Sequence, residues 1–185
     1  ALDPFSDKSY GFSVGLPLVK DKLFLFTSYE KFEGAQIFTY DNFGEGENVT
    51  QADIDRISQI ASDKYQYDVG GMPTSMPVED EKILVILDWN ISEAHRASLV
   101  YNYNDGFKLS QSDDWAVTLD SHFYNRGAEF QSFVGSLYSD WTDDFSTEMR
   151  IGKADLDANV VSLDAASSFG EVQIRHNGST TVSYT

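Results

Sequence analysis

Apolar and polar residues alternate with period two along most of this chain, the signature of strands whose two faces meet different surroundings. Over residues 10–19, Tyr10, Phe12, Val14, Leu16 and Leu18 fall on one face, and the small residues Gly11, Ser13, Gly15 and Pro17 on the other. Lys20-Asp21 interrupts the run. Residues 22–32 resume it, apolar on both faces through Leu23, Phe24, Leu25 and Phe26 before turning polar. Two such runs joined by a very short turn predict a hairpin over about 10–32.

The unit recurs. Ile83, Val85, Leu87, Trp89 and Ile91 oppose Lys82, Leu84, Ile86, Asp88 and Asn90. After Ser92-Glu93-Ala94, a partner run sets Ala97, Leu99, Tyr101 and Tyr103 against Arg96, Ser98, Val100, Asn102 and Asn104, predicting a second hairpin over about 82–104. A third, over about 122–155, turns at Thr142-Asp143-Asp144 and returns with Phe145, Thr147, Met149 and Ile151 opposite Ser146, Glu148, Arg150 and Gly152.

The connections fall into two classes. Those around Asp21, Glu93 and Asp143 are tight; those spanning about 34–81, 105–121 and 156–170 are long. Long irregular loops are uncommon in compact soluble domains. Antiparallel strands with short turns at one end and long loops at the other are the pattern of an outer-membrane barrel. The runs also approach the ~9–11 residues that a tilted membrane strand needs. The predicted fold is therefore all-β, a single unit over 1–185, part of a large transmembrane β-barrel with one short helix in a loop. That helix starts at a Thr50 cap with Asp53 three residues on. Ile54, Ile57, Ile60 and Ala61 share a face, the run ends near Tyr65, and Gly70-Gly71-Met72-Pro73 breaks the pattern. His176-Asn177-Gly178-Ser179 signals a small hairpin turn. Thr180, Val182 and Tyr184 then alternate up to the last residue, and Ala1–Asp7 carries no signal-peptide pattern, so the sequence reads as a piece of a longer protein.

Composition narrows the function classes. The chain has 185 residues, 13 basic against 30 acidic side chains, a net charge of −17 and no cysteine. An excess of carboxylates excludes a sequence-independent nucleic-acid binder, which must neutralise phosphates with clustered Lys and Arg. The absence of cysteine removes disulfide frameworks, zinc ribbons and thiol nucleophiles. The longest aliphatic run, Ile83-Leu84-Val85-Ile86-Leu87, is far short of a membrane helix. Aromatic residues make up 14%, too many for a disordered chain.

No catalytic constellation emerges, so the chain reads as a non-enzyme without a cofactor. His95, His122 and His176 sit on separate strands with no metal-binding spacing; His95 reads as a turn-edge residue and the other two as solvated rim residues. There is no GxSxG elbow, phosphate-binding loop or dinucleotide fingerprint. Asp155-Leu156-Asp157-Ala158-Asn159 begins like a calcium loop, but Val160 replaces the turn glycine and Ala166 the final glutamate. Loose binding of a divalent ion by this acidic loop is the residual reading. Asp113-Asp114 and the trio Asp140, Asp143 and Asp144 read as solvated turns rather than paired acid–base groups. Three glycosylation-type triplets, at Asn48, Asn90 and Asn177, are chance matches in a chain rich in Asn, Ser and Thr.

The aromatic residues carry more. Phe24 and Phe26 follow the first tight turn, Trp89 precedes the second, and Trp141 and Phe145 flank the third. Rings repeated beside every tight turn predict an interfacial aromatic girdle of Phe24, Phe26, Trp89, Trp141 and Phe145. Tyr29, Tyr101, Tyr103 and Tyr138 lie further along the same runs. Carboxylates concentrate in residues 32–81 and 109–120, as outer loops facing a phosphate layer bridged by divalent cations would carry them.

The stretch Gly15-Leu16-Pro17-Leu18-Val19-Lys20-Asp21-Lys22-Leu23-Phe24-Leu25-Phe26-Thr27-Ser28-Tyr29-Glu30 resembles an early barrel segment of TonB-dependent outer-membrane receptors, closest to the Oar-like branch. Asp88-Trp89-Asn90-Ile91 leading into His95-Arg96 and an alternating strand is similar to that family's next periplasmic hairpin. The likeness extends over most of the chain in layout, and in motif over about 15–30 and 88–103. It implies six strands of a barrel of about twenty-two, located in the bacterial cell outer membrane. It further implies a parent that takes up a nutrient or other ligand, with outer-membrane lipid, a plug domain and the TonB system as partners. The plug and the TonB-contacting segment are absent from these residues. Gly11, Ser13 and Gly15 would line the side the plug approaches, and the loops at 34–81 and 105–121 would form the outer vestibule. The alternative is a soluble all-β carbohydrate-binding or adhesin-type module using exposed Tyr and Trp, and a third reading is a hydrolase with paired carboxylates.

Overall fold

A computed structural model describes residues 6–38, 40, 43–73, 75–111, 116–163, 170–176 and 180–184. The strands are β1 (Lys8–Val19), β2 (Leu23–Ile37), β3 (Ser75–Asn90), β4 (His95–Gln111), β5 (Val117–Thr118), β6 (Phe123–Thr142), β7 (Phe145–Ser162), β8 (Val172–His176) and β9 (Thr180–Tyr184); the helix α1 spans Gln51–Tyr65. The chain is all-β and mostly antiparallel. Where the sequence points to a single unit, it divides into two compact ones.

The first unit comprises the described parts of Ala1–Gly34, Val78–Phe107 and Gly127–Ala158. Its strands belong to a six-stranded sheet in the order β1-β2-β3-β4-β6-β7. β1 and β2 pair antiparallel from Lys8 opposite Glu33 to Leu16 opposite Leu25, with a register shift between Pro17 and Val19. Their turn closes through a 3.0 Å hydrogen bond from the Lys22 N–H to the Val19 carbonyl. Asp21 takes the left-handed conformation there (φ 61°). The tight turns lie at one end of the sheet: Asn90 N–H donates to the Lys22 carbonyl (2.7 Å) and Asp140 N–H to the Ala94 carbonyl (2.8 Å).

Strands outrun their apolar alternation. β3 starts at Ser75 rather than near 82, β4 runs to Gln111, and β7 runs to Ser162, so the long connections are shorter than predicted. The ladder needs only backbone groups, and charged rows continue it where apolar rows stop. Lys31 lies 3.2 Å from Glu33 and 3.8 Å from Glu79, and Lys82 3.9 Å from Glu30. One consequence is that Asp155 and Asp157 stand in exposed extended backbone of β7, not in a loop that could fold around an ion.

The second unit comprises Ala35–Pro77, Lys108–Arg126 and the described parts of Asn159–Thr185. Its helix begins as the sequence predicts: the Asp53 carboxylate accepts from the Thr50 N–H (2.9 Å) and hydroxyl (2.6 Å). It ends at Gln66, whose N–H bonds the Ser62 carbonyl at 3.0 Å and whose left-handed backbone (φ 55°) lets the Tyr67 N–H return to the Ala61 carbonyl at 3.3 Å. Ile54 and Ala61 are buried, Ile57 packs at the margin, and Ile60 stays exposed. The helix covers a three-stranded sheet, β5-β9-β8, through Val117, Leu119 and Val182. In that sheet β5 runs parallel to β9, a departure from the expected antiparallel pattern. β8 and β9 form the predicted ribbon, Val172 opposite Tyr184 and Ile174 opposite Val182; its turn, 177–179, lies outside the described residues. A second cluster buries Phe123 against Met76 and Leu109, with Phe38 edge-on at 5.1 Å.

Candidate functional site

Opposed residues of an antiparallel pair share a face. The β1–β2 register therefore puts Tyr10, Phe12, Val14 and Leu16 together with Leu25, Thr27, Tyr29 and Lys31. The Lys31–Glu79 contact brings the odd-numbered residues of β3 onto this face, which alternation carries to Ile83, Val85, Leu87 and Trp89. Ring contacts extend it: His95 to Trp141 at 5.0 Å and Tyr101 to Phe133 at 4.6 Å. The Trp141 Nε1–H donates to Thr147 Oγ1 at 2.9 Å, adding β7 through Thr147, Met149 and Ile151. The result is a continuous apolar face across six strands.

The opposite face is mixed, with polar and charged groups set among Phe24, Phe26, Leu84 and Ile86. Lys82 pairs with Asp80 at 2.6 Å, the Arg96 guanidinium lies over the Tyr138 ring at 4.9 Å, and Arg150 donates to the Tyr138 hydroxyl at 3.4 Å while pairing with Glu148 at 2.6 Å. Gly11 belongs to this face, opposite Glu30. A Cβ there would collide with the Tyr29 carbonyl, so the close approach of β1 to β2 requires glycine.

Nothing among the described residues covers the apolar face. Every buried hydrophobic side chain among them lies in the second unit; on the sheet, Phe12 is 59% exposed, Trp141 57% and Ile151 81%. A half-buried antiparallel sheet in water normally packs one face on a core. Here the more apolar side is bare.

Two aromatic rows bound that side. Trp89, Trp141 and Phe145 lie on this face near the tight turns. Phe24 and Phe26 do not join them: they oppose Pro17 and Gly15 on the polar face, and Leu25 takes the apolar position between them. With a side-chain period of two, an offset of one residue from the turn reverses the face. At the far end, Tyr10, Tyr29, Tyr101 and Tyr103 form a second row on the apolar face, not assigned from sequence although they share the parity of Phe12, Leu25 and Leu99. The charges on this face are Lys8, Lys31, Glu81, Asp105 and Lys153, with Lys31 directly opposite Tyr10 and Lys8 two residues further along β1.

The remaining candidates disperse. His95 is the predicted turn-edge residue, held against Trp141. His122, expected at a solvated rim, has a side chain only 13% exposed in a short 3-10 turn, with Nε2 3.7 Å from Glu171. The side chain of His176, together with Asp113 and Asp114, lies outside the described residues. Asp140, Asp143 and Asp144 sit at the third tight turn. Among the described residues no three His, Asp or Glu side chains converge as metal ligands, and no helix is long and apolar enough to cross a membrane.

One carboxylate in the second unit is electrostatically out of balance. Asp120 faces Gly70, whose left-handed backbone (φ 72°) and lack of a Cβ admit the carboxylate. Burial pushes the Asp120 carboxyl above its usual range, the nearby Asp68 charge adds to the rise, and a Gly71 N–H opposes it. Tyr40, whose hydroxyl donates to the Pro73 carbonyl at 2.9 Å, is raised by burial and by the Asp120 charge. A carboxyl raised on folding contributes stability that is fully present below its unfolded value, near pH 4, and is lost as pH rises through the folded value. Asp120→Asn is thus expected to flatten the fall in second-unit stability above pH 4. Amide exchange in residues 66–73 at several pH values reads this, and an unchanged slope in the variant would refute it.

Compared with known proteins, the chain matches no family model, no curated protein and no solved structure.

Proposed function

We propose that this chain is a strand array from a TonB-dependent outer-membrane receptor, with its apolar face against lipid and its polar face lining the barrel interior. The observation that carries the reading is the bare apolar face, six strands wide, in a chain that buries its other hydrophobic side chains in a separate unit. Such a face is costly in water and is what hydrocarbon requires. The alternation, the short turns gathered at one end and the likeness of residues 15–30 to the family's early barrel segment support it.

Trp89, Trp141 and Phe145 then anchor the periplasmic interface, and Tyr10, Tyr29, Tyr101 and Tyr103 the outer one. Phe24 and Phe26 point inward, beside the small residues of β1. The two edges of the sheet point to a larger parent. β1 is exposed along its whole length, and β7 up to its last residue. Unpaired backbone is intolerable in hydrocarbon, so both edges pair with further strands of a closed barrel. The unit built from the long connections sits in the chain where ligand-capturing outer loops belong, and uptake is driven through a plug and the TonB system supplied by the rest of the parent.

A soluble binding module places a different demand on the same residues. It needs a second sheet about 10 Å away over the apolar face, where Phe12, Trp141 and Ile151 are each more than half exposed. Lipid accessibility along β3 decides between the two: the membrane reading expects it to alternate with period two, whereas uniform water access would remove that reading.

A further inference from the structure

Resting on the membrane reading, which turns the mixed face of the sheet inward, we infer that a cleft on that face binds a neutral saccharide. The cleft measures about 320 Å³, at the small end of the range for ligand sites. Register brings its groups together. Ser28 and Glu30 on β2 stand opposite Ser13 and Gly11, and Lys82 on β3 reaches Glu30 at 3.9 Å. Period two carries the face of Arg96 along β4 to Asn102 and Asn104. From Tyr138, under the Arg96 guanidinium, the same count along β6 reaches Phe130. All of these except Ser13, Gly11, Arg96 and Tyr138 line the cleft, together with Leu84.

Unused hydrogen-bonding capacity sets the chemistry. Among the described residues, the side chains of Ser28, Asn102 and Asn104 have no hydrogen-bond partner, although all three are half-buried. Polar groups withdrawn from water are normally paired. A carboxamide offers two donors and an acceptor, and a hydroxyl offers both kinds. The matching ligand gives and takes hydrogen bonds at several neighbouring points, as adjacent ring hydroxyls do. Phe130 and Leu84 supply an apolar wall for the C–H side of a sugar ring. Charge selects against an anion: Lys82 lies 2.6 Å from Asp80 and 3.9 Å from Glu30, so two carboxylates outweigh one ammonium beside the cleft. The exposed tyrosines take no part, because they stand on the other face.

The test is calorimetric titration and saturation-transfer NMR of the full chain, in detergent micelles and in buffer. The probes are maltotriose, cellotriose, mannotriose and triacetylchitotriose, with trigalacturonate as the anion and a capped trialanine as the neutral peptide. At least one neutral trisaccharide is expected to bind, more tightly than either of the other two probes. Asn104→Ala and Phe130→Ala should each weaken it by about tenfold, the scale of one lost ligand contact. Phe130→Tyr keeps the wall and should stay within a few-fold of the parent chain, as should Tyr101→Leu on the other face. Binding of no neutral trisaccharide, tighter binding of the anion or the peptide, or affinity that Asn104→Ala and Phe130→Ala leave intact overturns the inference. Each of these results leaves the membrane reading standing. A chain that is monodisperse without detergent and stays outside lipid vesicles overturns that reading, and the titration in buffer then still decides whether the cleft takes a sugar.

Discussion

Leu99→Arg is expected to destabilise the lipid-inserted chain by about 2–4 kcal/mol, the cost of a cation near the bilayer midplane on a barrel strand. Leu99 stands on β4, an interior strand of the sheet, midway between the His95 row and the charge at Asp105, and its side chain is 48% exposed. Its neighbours on the face are Ala97 and Tyr101. Asn102→Arg, three residues on and on the polar face, is the matched control and should change little. Were the sheet solvated on both sides, an arginine at the half-exposed Leu99 would lie within about 0.5 kcal/mol of neutral, as surface substitutions do. The two accounts therefore differ at one residue by more than the error of a urea titration. Unfolding of both variants in vesicles checks the prediction; equal midpoints for Leu99→Arg and Asn102→Arg would contradict it.

Phe123→Ala carries the largest expected effect on the second unit, a loss of about 3–5 kcal/mol as for large-to-small changes in a packed core. Phe123 is 1% exposed, at the start of β6, between Met76 and Leu109 and edge-on to Phe38. Its carbonyl accepts from the Leu163 N–H at 3.0 Å, and its N–H donates to the Asp120 carbonyl, so its backbone is held from both sides. With the ring gone the backbone remains tethered and the site cannot collapse fully, which keeps the cost near the upper end. Amide exchange should show lost protection in residues 35–77 and 108–126; protection within a few-fold of the parent chain there would contradict the prediction.

The difference between these two variants reflects what the sequence makes legible. Hairpins are readable because alternation and a two- or three-residue turn specify each other, as at Asp21 and Asp143. Strand ends are not, because Glu79, Asp80 and Glu81 continue a ladder that owes nothing to apolar spacing. The helix is readable from Thr50, Asp53 and its periodic isoleucines. The core it covers is not, since Val49, Val69, Leu119 and Val182 are single apolar residues in aperiodic segments, joined only by the fold.

The aromatic rows divide in the same way. Parity within one hairpin can be counted from its turn, and the inward placement of Phe24 and Phe26 follows from the Leu16–Leu25 pairing. Parity between hairpins cannot be counted, because the long connections leave the β2–β3 and β4–β6 registers open. Only with those registers in place do Tyr29, Tyr101 and Tyr103 fall into line with Trp89 and Trp141 at the other edge of one face. His122 is largely buried rather than solvated for a related reason: it stands in the turn between β5 and β6, with Glu171, far away in sequence, 3.7 Å from its Nε2.

The central claim is that this face meets hydrocarbon, and the lack of native cysteine makes it directly measurable. Single-cysteine spin labels placed in turn at residues 83–90 of β3, in the lipid-inserted chain, report collisions with oxygen from the lipid side and with a nickel chelate from the water side. The account predicts high oxygen and low nickel access at 83, 85, 87 and 89, and the reverse at 84, 86, 88 and 90. Nickel access at all eight positions, or the opposite phase, would contradict it.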